Sequence, residues 1–123
     1  MTNRSSHIYL LFTKVYEGRE TEFNRWYDTV HIPEMLTRCK GFVAAQRFRL
    51  CDAQRPGPMP HHTHLCVYEI QGDPRESLAS MDEQAARSDW SRTDTFDYSA
   101  FSARLYEAIT ERFEIEKISA SGK

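Results

Sequence analysis

Residues Glu22–Leu50 decide the fold, and they read EFNRWYDTVHIPEMLTRCKGFVAAQRFRL. The spacing of the apolar residues near its start predicts a helix from about Arg19 to Val30. Pro33 lacks an amide hydrogen, so we expect this helix to end before it and a short second one, PEMLTR, to begin with it. Lys40-Gly41 then turns the chain into a second strand, FVAAQRFRL, that runs through Leu50.

Further elements are predicted on both sides of this stretch. HIYLLFTK, residues 7–14, and HTHLCVYEI, residues 62–70, are rich in β-branched and aromatic residues and read as the first and third strands. The proline-rich residues 51–61 between strands two and three form a loop. A second long helix starts with Asp73 as N-cap, Pro74 as first residue and Glu76 placed for a capping box. Residues 88–101 are polar with embedded aromatics and read as loop or short turns.

The last segment, ARLYEAITERF from Ala103, is either helix or strand on periodicity alone, with a slight preference for helix. If it is a strand, the order is β-α-β-β-α-β. This is the α+β class in its ferredoxin-like arrangement, an antiparallel sheet with two helices on one face. Both faces of the predicted strands carry apolar residues, although a sheet covered on one side should alternate. A second copy packed sheet against sheet would cover the other face.

The composition limits the function classes. A chain of 123 residues forms one domain, 1–123, with an ordered core of about residues 7–116. The net charge of −2 argues against nucleic acid as a partner, and the apolar run near the start is too short for a membrane span or signal peptide. Three cysteines without C-x-x-C spacing indicate reduced thiols and a cytoplasmic location. Only five glycines are present and no phosphate-binding or dinucleotide motif, so we expect no nucleotide cofactor.

His31 has two open interpretations. As a residue near a helix end it could cap or pack the last turn, where a cationic ring is favoured. With an ordinary pKa of about 6.5 it could equally act as a general acid or base near neutrality. Glu34, three residues later, reads as a first-turn carboxylate that stabilises the short helix.

Other candidates also carry two interpretations. Trp26 and Tyr27 are core aromatics, or line a wet pocket in which the Tyr27 hydroxyl finds a partner. His62 and His64 would point the same way on a strand, but no further ligand lies at a convincing spacing, so we predict no metal site. His64, Cys66 and Tyr68 form a polar strip on one strand face, and Arg47 with Arg49 could hold an anionic oxygen or be solvated.

The quoted stretch resembles the EthD-like branch of the dimeric α/β-barrel superfamily. The features that carry the resemblance are an aromatic pair, a histidine and proline, a Gly-Phe turn, and an Arg-aromatic-Arg strand end: Trp26-Tyr27, His31, Pro33, Gly41-Phe42 and Arg47-Phe48-Arg49. HLCVYEI and LYEAITERF resemble the third and fourth strands, and residues 73–100 depart most. The resemblance implies that the last segment is a strand and that two chains pair as a barrel. It also implies a pocket between sheet and helices and a functional His31. Other branches of the superfamily are haem enzymes, but nothing here matches a haem ligand, so we expect no haem.

Two functions follow. The first is a cofactor-independent enzyme that acts on a small hydrophobic or aromatic ring compound by acid/base chemistry at His31, as a polyketide cyclase, isomerase, dehydratase or monooxygenase. Tyr27, His64 or Tyr68 would hold the oxygen on which charge develops, Arg47 could assist, and Trp26, Phe12 and Phe48 would wall the pocket. The alternative is a non-catalytic protein that binds a small hydrophobic ligand or serves a pathway as an accessory.

Overall fold

The structure is a computed structural model and describes residues 6–116 and 118. The elements in chain order are β1 (His7–Thr13), α1 (Glu20–Trp26), a π-helical turn (Tyr27–His31), α2 (Ile32–Arg38), β2 (Phe42–Arg49), β3 (His64–Ile70), α3 (Pro74–Ala85), a 3-10 turn (Tyr98–Ala100) and β4 (Ser102–Glu107). The strands form one antiparallel sheet in the order β2-β3-β1-β4. The predicted α+β, ferredoxin-like β-α-β-β-α-β arrangement is confirmed.

The ambiguous last segment is a strand, β4, as the resemblance implied. It pairs with the edge of β1, where Leu105 lies opposite Tyr9 and faces the helices. The pairing gives backbone groups on β1 their hydrogen-bond partners, and this outweighs a weak helical pattern. The pattern is misleading because its later members, Ile109 and Phe113, lie beyond the strand and are 91% and 76% exposed.

The core lies between the sheet and the helices. β3 contributes four alternating buried side chains, from His64 to Ile70, and Tyr68 is fully buried among them. From the helical side, Phe23 and Met35 are 1% and 2% exposed. The buried residues of β1, β2 and β3 therefore identify the sheet face that is turned toward the helices. A pocket between sheet and helices can border only this face.

Pro33 does not end the first helix, contrary to the prediction. The chain stays helical from α1 through the π-helical turn into α2, and the Ile32 amide donates to the Tyr27 carbonyl five residues earlier. Since α2 begins at Ile32, Pro33 lies in its first turn, where an amide has no partner within that α-helix and its loss costs little. His31 is consequently in the middle of a helical run and not at its end.

The start of α3 differs in one detail from the predicted capping box. Asp73 is the N-cap and accepts a hydrogen bond from the Arg75 amide at 2.9 Å, and Pro74 is the first residue. The Glu76 carboxylate does not complete a capping box; it pairs with Lys40, two residues after the end of α2. The carboxylate therefore ties two helical elements together, which short-range spacing could not show.

The second sheet face carries the side chains that point away from the helices. It includes Leu10, Val67 and Phe48. Phe48 is 46% exposed and Tyr106 on β4 is 51% exposed. An apolar sheet face of this kind is the feature from which the homodimer was predicted, and the dimer stays a prediction.

Candidate active site

A cavity of about 350 Å³ lies between the helix-facing side of the sheet, the helical run and residues 90–101. Its volume falls at the lower end of the range of about 300–1,000 Å³ that is usual for ligand sites. Most of its wall is apolar or aromatic, and the aromatic lining consists of Tyr9, Trp26, Tyr27, Trp90, Phe96, Tyr98 and Phe101. The polar lining includes His31, Ser91, Asp82 and Arg92.

The end of α1 and the π-helical turn together place three predicted site residues in this wall. Trp26, Tyr27 and His31 all line the cavity. The His31 ring stacks on Trp26, with centroids 4.5 Å apart, and meets the Tyr27 and Trp90 rings edge-on at 5.1 and 5.7 Å. Turns of this type are frequently found at functional sites.

His31 is held by Glu34. The two atoms in contact are His31 Nδ1 and Glu34 Oε1, 3.2 Å apart. An ionised carboxylate only accepts hydrogen bonds, so Nδ1 carries the proton and, in the neutral ring, Nε2 holds a lone pair. Burial lowers the pKa of His31 below its ordinary value, although Glu34 acts in the opposite direction. The ring is therefore uncharged at neutral pH and able to accept a proton.

Glu34 itself is fixed from the other side of the cavity. Its side chain is 12% exposed and accepts hydrogen bonds from the Ser91 hydroxyl and, at 3.2 Å, from the Ser91 amide. The first-turn role predicted for Glu34 missed its contact with His31 and its contacts with Ser91. The three-residue spacing from His31 was a usable signal for one of them, but Ser91 lies 57 residues away in sequence.

Arg38 holds the segment that contains Trp90. Its guanidinium donates to Gln84 Oε1 and to Asp89 Oδ1, both at 2.9 Å, and lies 5.3 Å from the centroid of the Trp90 ring. Trp90 is 8% exposed and forms part of the cavity wall. Sequence reasoning missed Trp90, Phe96 and Phe101 as site residues; the signal was the presence of large aromatics in an otherwise polar loop.

Tyr68 lies below the cavity in the core and does not line it. Burial raises the pKa of the Tyr27 and Tyr68 hydroxyls far above the ordinary value, and it raises the pKa of the neighbouring Cys66 thiol to about 11. All three groups are therefore neutral at physiological pH. Tyr27 lines the cavity with its ring, and its hydroxyl lies beside Cys66 and Tyr68 in the core.

Arg47 and His64 are not brought to the cavity. Arg47 donates to Asp28 at 2.8 Å and to Asn24 at 2.6 Å, and it lies 4.9 Å from the centroid of the Tyr27 ring. These contacts pin the helical run to β2. Arg47 and His64 border a shallow depression of about 190 Å³ on the other side of that helical run.

His64 is engaged at both ring nitrogens. Nε2 lies 2.8 Å from Glu20 Oε2 and Nδ1 lies 2.7 Å from the Thr63 hydroxyl. Burial lowers the pKa of His64 from its ordinary value. Neither nitrogen is directed to a ligand, so the contacts of His64 are those of a residue that joins β3 to α1.

Phe12 and Phe48 lie on the sheet face that points away from the helices. They border a separate depression of about 220 Å³ together with His62. The wall that the sequence assigned to them is formed by Trp90, Phe96 and Phe101 instead, because the strand alternation places residues 12 and 48 on the opposite side.

The His61, His62 and His64 cluster does not face one way. β3 begins at His64, so His62 precedes the strand, and its Nε2 lies 2.6 Å from the Ala100 carbonyl. Across residues 6–116 and 118, no group of three or more His, Cys, Asp or Glu side chains is arranged to hold a metal ion.

The same part of the chain has no helix of the length and apolar character that a membrane crossing requires.

Solved structures with the same fold come from several bacteria. The haem degrader MhuD of Mycobacterium tuberculosis, with two haems bound in its active site, is 14% identical and has a TM-score of 0.60 over 87% of this chain and 99% of its own. A candidate monooxygenase from Shewanella loihica is 12% identical, with a TM-score of 0.57 over 89% and 100% of the two chains. No family model matches the sequence, and no curated protein matches it.

An EthD-like protein from Ralstonia eutropha is 17% identical, with a TM-score of 0.57 over 88% of this chain and 96% of its own. At these identities the likeness concerns the fold, and at that level it confirms the resemblance noted in residues 22–50. The chain has the ferredoxin-like fold that it shares with the EthD-like protein and with MhuD.

Proposed function

We propose that this protein is an enzyme that transfers a proton on a small hydrophobic ring compound, with His31 as the acid/base group. The observation that carries the proposal is the His31–Glu34 pair in the wall of an aromatic cavity. A neutral imidazole with its Nδ1 proton held by a carboxylate is the arrangement of a general base. Neighbours that include a haem degrader and a candidate monooxygenase support an enzymatic reading of the fold.

The chemistry follows from the geometry. Nε2 of His31 would take a proton from a carbon next to a carbonyl, or from a phenol hydroxyl, and the resulting imidazolium would be stabilised by Glu34. The Tyr27 ring forms part of the cavity wall, while its neutral hydroxyl lies beside Cys66 and Tyr68 in the core. Cyclisation, isomerisation, dehydration and oxygenation of an electron-rich phenol all begin with such a step.

Haem does not fit this cavity. A porphyrin is larger than a space of about 350 Å³. The dimensions suit a ligand of a few fused rings. No step of the proposed chemistry therefore runs through haem.

We also propose that two chains associate through the sheet face that carries Phe12, Phe48 and Tyr106. Phe48 and Tyr106 are half-exposed in the single chain, and a large apolar patch on a soluble protein is typical of an interface. Sheet-to-sheet packing of two copies would cover this face and leave the His31 cavity on the opposite side free for a ligand.

Hydrogen–deuterium exchange tests the proposed reaction. The protein is incubated in heavy water with cyclic ketones, lactones and electron-rich phenols, and deuterium incorporation is followed by mass spectrometry. Wild type and His61→Ala, which removes an exposed histidine outside the cavity, should both catalyse exchange, and His31→Ala should not. Equal exchange in all three proteins removes His31 from the role. Binding of a ring compound without any exchange supports the non-catalytic alternative.

A further inference from the structure

The cavity wall contains one guanidinium among its described residues, that of Arg92. It is an exposed side chain whose Nη2 donates to the Ala85 carbonyl at the end of α3, at 3.2 Å. Across the described part of the chain, no carboxylate lies within ion-pair distance of Arg92. Arg38, which also stabilises this wall, is by contrast paired with Asp89.

The unused donors of Arg92 have a definite chemical preference. A guanidinium has five N–H groups in a planar fork, and here one nitrogen is anchored by a backbone carbonyl. The fork matches a carboxylate, which it can bind through two parallel hydrogen bonds.

The other charged group of the cavity wall is Asp82, which lies near Tyr9 on β1. No ion pair joins Asp82 to Arg92 within the described residues, although the Ala85 carbonyl that anchors Arg92 is three positions along α3 from Asp82. An anionic group on a ligand would be repelled at the Asp82 side and attracted at the Arg92 side.

We propose that the cavity takes a ring compound that carries a carboxylate, with the rings against the Trp26 and Trp90 walls and the carboxylate on Arg92. The inference rests on the proposed function and names the substrate class of the same site. Arg92 would thus be a binding residue that decides which end of the ligand faces His31.

Calorimetric titration with a matched pair of compounds tests this assignment. The probes are 2-naphthoate and the neutral 2-naphthalenemethanol, and the proteins are wild type, Arg92→Ala, Arg92→Lys and Arg55→Ala. Arg55 is an exposed arginine outside the cavity, so its loss changes the net charge equally. Arg92→Ala should weaken naphthoate about fivefold to tenfold and leave the alcohol unchanged, since a partly exposed charged pair contributes modestly. Arg92→Lys should restore part of the loss, and Arg55→Ala should match wild type.

The outcomes separate the two proposals. If both compounds bind wild type and Arg92→Ala weakens neither, or weakens both equally, the carboxylate assignment is wrong while the ring-binding cavity stands. If Arg55→Ala weakens naphthoate as much as Arg92→Ala does, the effect is one of net charge and the assignment is again wrong. If neither compound binds wild type, the ring-binding cavity is contradicted, and both proposals with it.

Discussion

His31 and Trp26 lie flat against each other, with an angle of 13° between their ring planes. The indole keeps water from one face of the imidazole, and burial is the main reason that the pKa of His31 is lowered. The two residues are five positions apart in a helical run with a π-helical turn, so backbone geometry controls the basicity of the histidine.

Replacing Trp26 tests this relationship. Trp26→Leu should raise the pKa of His31 toward its ordinary value of about 6.5, because water reaches the uncovered face. Trp26→Phe keeps an aromatic ring in place and should change the pKa less. NMR titration of the His31 ring protons measures both. A pKa in Trp26→Leu that is equal to or lower than that of wild type contradicts the argument.

Glu34 should affect the same pKa in the opposite direction. Glu34→Gln removes the charge that favours the protonated ring, so the pKa of His31 should fall further. Any reaction found in the exchange panel should slow on the order of tenfold, because the imidazolium loses its counter-charge, and its acid limb should move to lower pH. Glu22→Gln, an exposed carboxylate of α1, is the control. An unchanged pH–rate profile in Glu34→Gln would show that the contact is only structural.

The stability of the protein should fall as the pH is lowered below neutrality. Burial lowers the pKa of both His31 and His64, so the unfolded chain binds more protons once the pH drops through about 6.5. The stabilisation is complete above that value and is lost as the pH falls toward the lower, folded-state pKa. Thermal unfolding at a series of pH values checks this. A His31→Gln, His64→Gln double variant should show a flatter curve, and an equally steep one contradicts the assignment.

Gly41 should not tolerate a side chain. Its φ is +84°, and a Cβ there would meet the Ser77 hydroxyl and, at 2.7 Å, the Gln71 carbonyl. Gly18 has nearly the same φ, +81°, but open space around it. Gly18→Ala should cost roughly 1 kcal/mol from backbone strain alone, and Gly41→Ala at least about 2 kcal/mol. Urea unfolding compares them, and equal losses would show that the close approach does not matter.

The proposed dimer depends on the outer sheet face. Phe48→Glu places a charge on that face and should convert a dimer into a monomer, as measured by light scattering after size-exclusion chromatography. Tyr16→Glu is a matched control, because Tyr16 is 47% exposed, Phe48 is 46% exposed, and Tyr16 lies outside the sheet. A wild-type protein that is monomeric at all concentrations contradicts the proposal, as does a Phe48→Glu variant that remains dimeric.

The sequence was most informative where one periodicity dominated. The strand patterns of residues 7–14 and 62–70 predicted β1 and β3 closely, and Pro74 after Asp73 predicted the start of α3. Residues 103–113 were ambiguous because their apolar spacing continues past the strand end, and the resemblance decided correctly for strand.

From the sequence, only the cavity residues that lie together on one helical run could be predicted. Trp26, Tyr27 and His31 are neighbours in the chain and line one cavity. The contacts of Arg47 with Asp28 and of Glu34 with Ser91 depend on how separate elements pack, which no local pattern contains. The rule that proline ends a helix was the most misleading one. The helical run continues through Pro33, because a π-helical turn precedes it.

That turn has a consequence for alignments. A π-helical turn closes each hydrogen-bonded ring with one residue more than an α-helix does, so it holds an inserted residue while the helix on either side continues. Chains of this fold with an uninterrupted α-helix here should therefore align with a one-residue gap between positions 27 and 31. An alignment that forbids gaps within helices would displace either Trp26 or Glu34 by one position. It would then miss the residues on which the acid/base pair depends.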